Sequence, residues 1–197
     1  MIPIQKISGR LGNSMFQLAF IYAQMREGKI PDIYVQSPEY FEKYAEQIKR
    51  LFGEGIGHIP RTSIHVRRAS NPINPDEPKY CENPFYTNLC DTNYYEQAVA
   101  MFPHEKFIVF SDDPDWCRAK WDNNERFKVM DIGDDVEDFN LMASCQNNII
   151  ANSSYSWWAA YLNPNPGKKV VCPLESSWYN DKQIRTKVIS TWAQIKV

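Results

Sequence analysis

The sequence contains no apolar run that approaches the ~18 residues of a membrane-spanning helix, and its first ten residues, MIPIQKISGR, lack the apolar core of a secretory signal. It also lacks an excess of charge, because 22 Lys and Arg side chains are balanced by 24 Asp and Glu side chains. Nucleic acids and anionic membranes attract strongly basic proteins. We therefore expect a soluble, cytoplasmic protein that binds no nucleic acid and meets any anionic ligand with a local basic cluster.

The cysteines lack the spacing of a metal site. No C-x-x-C pair occurs, and an odd number of widely spaced cysteines indicates neither a zinc site nor a complete disulfide framework. We expect reduced thiols that mostly fill the core. The five are Cys81, Cys90, Cys117, Cys145 and Cys172.

From residue 104 onward, short β-like runs alternate with helix-like segments, which is typical of a parallel sheet covered by helices. The predicted class is α/β, with a Rossmann-like domain over residues 61–197 and a small second lobe over residues 1–60. We also predict a helical stretch at the C-terminus. The β-like runs are FIVF (107–110), FKVM (127–130), NIIAN (148–152) and KVVCP (169–173).

Two arginines follow a short apolar alternation in SIHVRRAS, residues 63–70. In an extended strand His65 and Arg67 share one face and Arg68 takes the other, so a central strand does not leave both arginines in solvent. We expect them at the carboxyl end of the strand, where open α/β sheets bind ligands. Adjacent guanidinium groups can neutralise a diphosphate without a metal ion. We favour this anion site over the alternative, an edge strand with two solvated arginines.

The turn GRLGNSMF, residues 9–16, follows a predicted strand and opens a helix, so its N–H groups could meet a phosphate or a sugar. It lacks the G-x-G-x-x-G pattern of a dinucleotide site and the Gly-Lys-Ser/Thr of a P-loop. The spacing alone favours a plainer interpretation, a glycine turn with Asn13 capping the helix.

Acidic residues crowd the segment FSDDPDW, residues 110–116. Asp113 and Asp115 match the D-x-D pattern that holds a divalent cation in many sugar-nucleotide enzymes. Capping fits better, with Asp113 as N-cap, Pro114 at the first helical position and Asp115 in the first turn. Asp112 is then available to a ribose or substrate hydroxyl.

The segment NSSYSWWAAYL, residues 152–162, begins with three potential capping side chains after a buried strand. For Ser153 and Ser154 we favour a phosphate site at the helix start. For Trp157 and Trp158 we favour packing of a helix against the sheet.

GRLGNSMFQLA, IHVRR, FIVFSDD and DFNLMASCQNNIIANSSYSWWAAYLN, in this order, resemble glycosyltransferase family 11, the α-1,2-fucosyltransferases and their relatives. The similarity extends to VVCPLESSWY. The resemblance implies a GT-B-type enzyme that moves fucose from GDP-fucose to a sugar hydroxyl of a glycan acceptor, with inversion and with no essential metal or other cofactor. It also implies that residues 61–197 are the GDP-sugar-binding domain and that residues 1–60 are an abbreviated N-terminal, acceptor-side lobe. A relative that uses another GDP-deoxyhexose, such as GDP-rhamnose, is an alternative.

The resemblance assigns roles to residues around the arginine pair. Arg67 and Arg68 match the two arginines that bind the diphosphate and stabilise the departing GDP, and we expect Arg68 to contribute more to GDP affinity. His65 matches a histidine beside the nucleotide. Asp138 resembles the acidic residue that accepts hydrogen bonds from the guanine edge.

Two further segments receive donor-binding roles from the same resemblance. Ser153 and Ser154 match helix-start hydroxyls near the phosphates. Gly12 and Asn13 match the N-terminal loop that closes over the donor.

The family motif usually reads His-x-Arg-Arg-x-Asp, and Ser70 stands here in place of the acid. A serine hydroxyl cannot replace a carboxylate as a general base near neutral pH. The irregular segment 69–92, rich in Pro and Asn, is typical of a functional loop or lid. We therefore expect the base among Asp76, Glu77 and Asp91, and a GDP-sugar-binding protein without catalysis is a second alternative.

Only about 50 residues separate the Gly-Asn turn from His65, fewer than the resemblance implies. An abbreviated acceptor lobe points to an unusual acceptor or to an oligomer in which another chain completes the acceptor site. A metal-dependent enzyme that uses Asp113 and Asp115 is the remaining alternative, and loss of activity in EDTA would favour it.

Overall fold

The computed structural model describes residues 11–27, 37–69, 78–180 and 186–197. Six strands in these residues form one sheet in the order β3-β2-β1-β4-β5-β6, and every neighbouring pair is parallel. Strand order reverses between β1 and β4, which is therefore the topological switch point. The strands are β1 (Ile59–Val66), β2 (Phe107–Ser111), β3 (Phe127–Val129), β4 (Cys145–Ile149), β5 (Val170–Pro173) and β6 (Ala193–Ile195).

Helices connect the strands and cover both faces of the sheet, which confirms the predicted α/β class with a Rossmann-type parallel sheet and is consistent with a GT-B-like fold. The strand predicted before Gly9 lies outside the described residues. The α-helices are α1 (Leu11–Glu27), α2 (Ala45–Phe52), α3 (Tyr94–Ala100), α4 (Pro114–Trp121), α5 (Asp135–Ser144) and α6 (Ser154–Leu162). Single turns of 3₁₀ helix lie at Pro38–Tyr40, Glu42–Tyr44, Tyr80–Glu82, Leu89–Asp91 and Glu175–Ser177.

Strand β1 is central, between β2 and β4. Its last five residues, 62–66, are all buried, and the strand ends at Val66, directly before the two arginines. The predicted position of the arginine pair at the carboxyl edge of a central strand is confirmed.

The predicted C-terminal helix is wrong. After β5 the described chain makes one 3₁₀ turn and then adds β6 to the edge of the sheet, in register with β5 from Val171 opposite Ala193. Along β6 the side chains alternate, with Gln194 exposed and Ile195 buried. This alternation with a period of two is the pattern of a strand with one buried face. Three residues are too few for the alternation to be recognised in the sequence.

The sheet carries one hydrophobic cluster on each face, because consecutive residues such as Val171 and Cys172 belong to different clusters. On one face Trp157 and Trp158 are fully buried, as predicted, and pack on Phe16 of α1 with ring centroids 4.7 and 5.0 Å apart. Helix α1 thus shares its core with α6. The predicted domain boundary after residue 60 stays a prediction.

All five cysteines are free, and three of them are buried. Within the described ranges, no helix has both the length and the apolar character needed to cross a bilayer.

Candidate functional site

A cleft of about 220 Å³ lies at the carboxyl ends of β1, β2 and β4, beside the switch point. Two predicted site residues, Arg68 and Asp91, are described by the structure but do not line this cleft. Asp76 and Glu77, like Ser70, lie outside the described residues. The predicted residues that do line the cleft are Gly12, Asn13, His65, Arg67, Asp112, Asp138, Ser153 and Ser154.

Among the described residues that line the cleft, Arg67 supplies a guanidinium group, which forms an ion pair with Asp112. The other oxygen of that carboxylate, Oδ1, accepts hydrogen bonds from the main-chain N–H groups of Arg68 and Ala69, at 2.8 and 3.0 Å. The guanidinium also lies over the ring of Tyr80, 5.0 Å from its centroid. Arg67 is therefore held on two sides while it lines the cleft.

Arg68 points elsewhere. Its guanidinium lies 4.3 Å from the ring centroid of Trp116, and its Nε donates to Asp113 Oδ2 at 3.1 Å. The alternation of side chains along an extended chain explains the divergence, because Arg68 takes the face opposite to His65 and Arg67. Its diphosphate role stays a prediction.

Asp113 caps helix α4, as predicted, because its Oδ1 accepts from the main-chain N–H of Trp116 at 3.2 Å and Pro114 follows at the first helical position. Asp115 pairs with Arg118 at 2.6 Å. No group of three or more His, Cys, Asp or Glu side chains in the described part of the chain could hold a metal ion.

The imidazole of His65 is buried at the cleft wall, with Nδ1 2.9 Å from Ser156 Oγ. The Ser156 hydroxyl also donates to the carbonyl of Ser153 at 3.3 Å, so Ser156 links the imidazole of His65 to the start of α6. Sequence reasoning missed Ser156; its place on α6, three residues after the N-cap, was the available signal.

Helix α6 begins at the cleft. Ser153 is its N-cap, with extended backbone angles, but its side chain makes no capping hydrogen bond. Ser154 Oγ instead donates to Asn13 Oδ1 at 2.7 Å. Asn13 lies inside α1, which begins at Leu11, so the plainer interpretation of Asn13 as a cap is wrong.

Gly12 explains how α1 and α6 come this close. A Cβ at Gly12 would overlap the main chain of Ser154 and Tyr155. Only glycine permits this contact between the two helix starts.

At another part of the cleft, Asp138 on α5 has an Oδ1 atom that is buried without a hydrogen-bond partner among the described residues. Burial raises the pKa of this carboxyl to about 6, and the nearby acidic residues, first Asp135, add to the effect. A buried acceptor without a donor is costly in the unliganded protein. It is a natural partner for a ligand N–H.

Four aromatic side chains, which we call the aromatic wall, were not predicted as a group: Tyr80, Phe85, Tyr86 and Tyr179. Tyr80 stacks on Tyr86 with centroids 4.1 Å apart, and Phe85 contacts both Tyr86 and Tyr179 at 5.0 and 5.3 Å. All but Phe85 line the cleft, and Phe85 is 41% exposed. These residues are spread over positions 80–179, so no sequence motif identifies them as a group.

The wall is anchored to the rest of the fold. The Tyr80 hydroxyl donates to the carbonyl of Asn152 at 2.6 Å, and Asn180 Nδ2 donates to the carbonyls of Pro84 and Tyr86 at 2.7 and 3.0 Å. The described part of the predicted lid is therefore fixed to the loops that follow β4 and β5. Asp91, at its end, is exposed and accepts from Asn88 Nδ2 at 2.8 Å.

A Rossmann-type sheet with an arginine, a helix start and a partly buried carboxylate at its switch point is typical of proteins that bind a nucleotide there. The family described as "Glycosyl transferase family 11" matches residues 29–196. This chain belongs to glycosyl transferase family 11, as its motifs indicated.

Several characterised proteins are similar to this chain. The "O-antigen biosynthesis glycosyltransferase WbnK" of Escherichia coli is 32% identical over 141 residues, which are 68% of this chain and 44% of the relative. The "Alpha-1,2-colitosyltransferase" of Escherichia coli is 27% identical over 77% of this chain and 56% of its own length. The "Galactoside alpha-(1,2)-fucosyltransferase 1" of Saimiri sciureus is 30% identical over 61% of this chain and 34% of its own.

The chain thus spans about half the length, or less, of the curated relatives it matches. The comparison with solved structures gave no significant match.

Proposed function

We propose that this protein transfers fucose from GDP-fucose to a sugar hydroxyl of a glycan, with inversion at the anomeric carbon and without an essential metal ion. The observation that carries the proposal is Arg67, which lines the switch-point cleft at the end of β1 together with the start of α6. A guanidinium and the N–H groups of a helix start are two sets of donors suited to a diphosphate. Membership of family 11 supports the chemistry.

Contacts between lining residues support a direction for the donor. Tyr155 donates to the carbonyl of Asp135 on α5, the helix that carries Asp138, and the unpartnered carboxylate oxygen of Asp138 suits the adjacent N–H groups of guanine. Arg67 and Ser153 suit the phosphates. The aromatic wall begins at Tyr80, against Arg67, and suits the sugars, because pyranose rings bind aromatic faces through their C–H groups.

In the proposed reaction, the acceptor oxygen bonds to the anomeric carbon while the bond from that carbon to the β-phosphate oxygen breaks. The electron pair of that bond leaves with GDP, and Arg67 stabilises the charge that develops there. The acceptor hydroxyl gives its proton to a base. Asp76 and Glu77 stay the candidates, since the Asp91 carboxylate is hydrogen-bonded to Asn88 and exposed.

Two alternatives have specific support. A different GDP-deoxyhexose donor is favoured by the resemblance to a protein named a colitosyltransferase. A GDP-sugar-binding role without transfer is favoured by Ser70 in place of the motif acid and by the limited coverage of the relatives.

The test is a binding and turnover screen of the purified chain. We expect GDP to bind more tightly than ADP or UDP, and GDP-fucose to yield GDP and a fucosylated glycan in the presence of EDTA. GDP release from GDP-rhamnose but not from GDP-fucose would select the first alternative. Tight GDP binding without turnover of either donor, over a panel of glycans, would select the second.

A further inference from the structure

Arg67 has a long, flexible side chain at the end of a strand. It stays oriented toward the cleft only if a neighbouring group restricts its rotamers. An arginine loses considerable rotamer freedom when it is held in one place. Asp112 fixes the position of Arg67 through an ion pair. Both side chains are largely buried, with 12% of the Arg67 side chain and 15% of the Asp112 side chain exposed. A partly buried, charge-assisted contact of this kind is stronger than one between exposed groups.

The position of Asp112 follows from the sheet. Strands β1 and β2 are parallel and in register, with Val66 opposite Ser111, so Asp112 leaves β2 beside the point where Arg67 leaves β1. One carboxylate therefore meets three donors of the neighbouring strand end. Oδ2 meets the Arg67 guanidinium, and Oδ1 meets the main-chain N–H groups of Arg68 and Ala69.

These contacts engage both carboxylate oxygens with the protein itself. The sequence-based expectation was that Asp112 contacts a ribose or substrate hydroxyl. The geometry points to a different role, which rests on the proposed function. We propose that Asp112 is a positioning residue that holds Arg67 toward the diphosphate, and that it affects nucleotide binding only through Arg67.

The Asp112→Asn variant separates the two halves of this arrangement. Its amide oxygen can still accept from the main-chain N–H groups of Arg68 and Ala69, whereas its NH₂ group meets the Arg67 guanidinium and cannot accept from it. The variant therefore keeps the hydrogen bonds to the loop after β1 and loses the ion pair with Arg67. We expect GDP affinity to fall about tenfold, which is the low end of what one charge-assisted hydrogen bond to a phosphate contributes.

The decisive measurement is a double-mutant cycle on the Kd for GDP, with Arg67→Ala, Asp112→Asn and the double variant. If Asp112 acts only through Arg67, Asp112→Asn changes the Kd by less than twofold once Arg67 is alanine. An equal loss in both backgrounds would overturn the proposal, because it is the result of a direct ligand contact or of a general structural effect. An unchanged Kd for Asp112→Asn alone would overturn it as well.

Asp115→Asn is the matched control, since Asp115 is exposed, pairs with Arg118 and does not line the cleft. Its Kd should equal that of the parent. Thermal unfolding of each variant shows whether the fold is intact, and Asp112→Ser, which also lacks a carboxylate, replaces Asp112→Asn in the cycle if the latter does not fold. Failure of the parental chain to bind GDP would refute the proposed function together with this role, whereas GDP binding with an additive cycle refutes the role alone.

Discussion

The recognition of guanine by Asp138 predicts a specific dependence on pH. Burial raises the pKa of this carboxyl to about 6 in the unliganded protein. If the ionised carboxylate accepts from two N–H groups of guanine, only the ionised form selects guanine. Guanine selectivity should therefore be nearly complete above a pH of about 7, and its fall should approach tenfold for each pH unit only well below about 6.

The magnitude follows from the fraction of Asp138 that is ionised. With a pKa of about 6, about 97% is ionised near pH 7.5 and about 9% near pH 5. The affinity for GDP relative to ADP should thus fall about tenfold between these values. The ratio is the quantity to measure, because the terminal phosphates of both nucleotides titrate alike and cancel.

Asp138→Asn should remove the dependence. Isothermal titration of GDP and ADP at the two pH values, with parent and variant, gives the four ratios needed. The interpretation is refuted if the parental ratio changes by less than twofold, or if the asparagine variant reproduces the parental change. Asp115→Asn is the control, because this exposed carboxylate pairs with Arg118, does not line the cleft and is not among the charges that raise the pKa of Asp138.

Asp138→Asn, which should remove guanine selectivity, should make the unliganded protein more stable at neutral pH. Because the folded-state pKa lies above the ordinary value of 3.8, the folded protein binds more protons than the unfolded chain between pH 3.8 and about 6, and stability is lost as pH rises through that window. The full cost above pH 6 is at most about 3 kcal/mol, reduced by the partial exposure of Asp138. Unliganded Asp138→Asn should therefore melt at a higher temperature than the parent at neutral pH, and a lower temperature would contradict the shift.

Three further predictions concern other parts of the cleft. Arg67→Ala should weaken GDP binding by about 1.5 to 3 kcal/mol, and more than Arg68→Ala, which reverses the order that the sequence suggested; equal losses by titration would refute the distinction. Phe85→Ala should raise the KM for the glycan at least several-fold while the Kd for GDP stays within twofold; an unchanged KM would exclude Phe85 from acceptor binding. Gly12→Ala should destabilise the fold by about 1 to 3 kcal/mol in denaturant unfolding, and an unchanged midpoint would show that the contact between α1 and α6 can relax.

The parallel sheet was predictable because its signal is repeated. Each of the runs 107–110, 127–130, 148–152 and 169–173 is apolar and is followed by a helix-like or turn segment, and each contains or overlaps a strand. The edge strand β6 was missed because a three-residue alternation next to 3₁₀ and irregular chain carries no such repetition. Boundaries also shifted: β4 begins at Cys145, directly after α5 ends, with no turn residues between them.

The residues of the site that follow the carboxyl ends of strands were predictable from the sequence. Arg67, His65 and Ser153 meet because the carboxyl ends of β1 and β4 are neighbours, and the alternation along β1 separated Arg67 from Arg68. The partners of these residues were not predictable. Asp112 holds Arg67 through the register of β1 and β2, and Ser156 reaches His65 from α6, so both contacts depend on packing between distant segments.

The most direct test of the account is the rate of GDP release from GDP-fucose in the presence of a glycan acceptor, measured for the parent, Arg67→Ala and Arg118→Ala. Arg118 is the control because it pairs with Asp115 and Asp131 away from the cleft. We expect acceptor-dependent release by the parent and by Arg118→Ala, with loss of about tenfold or more in Arg67→Ala. Parental rates in Arg67→Ala, or release that no glycan stimulates, would contradict it.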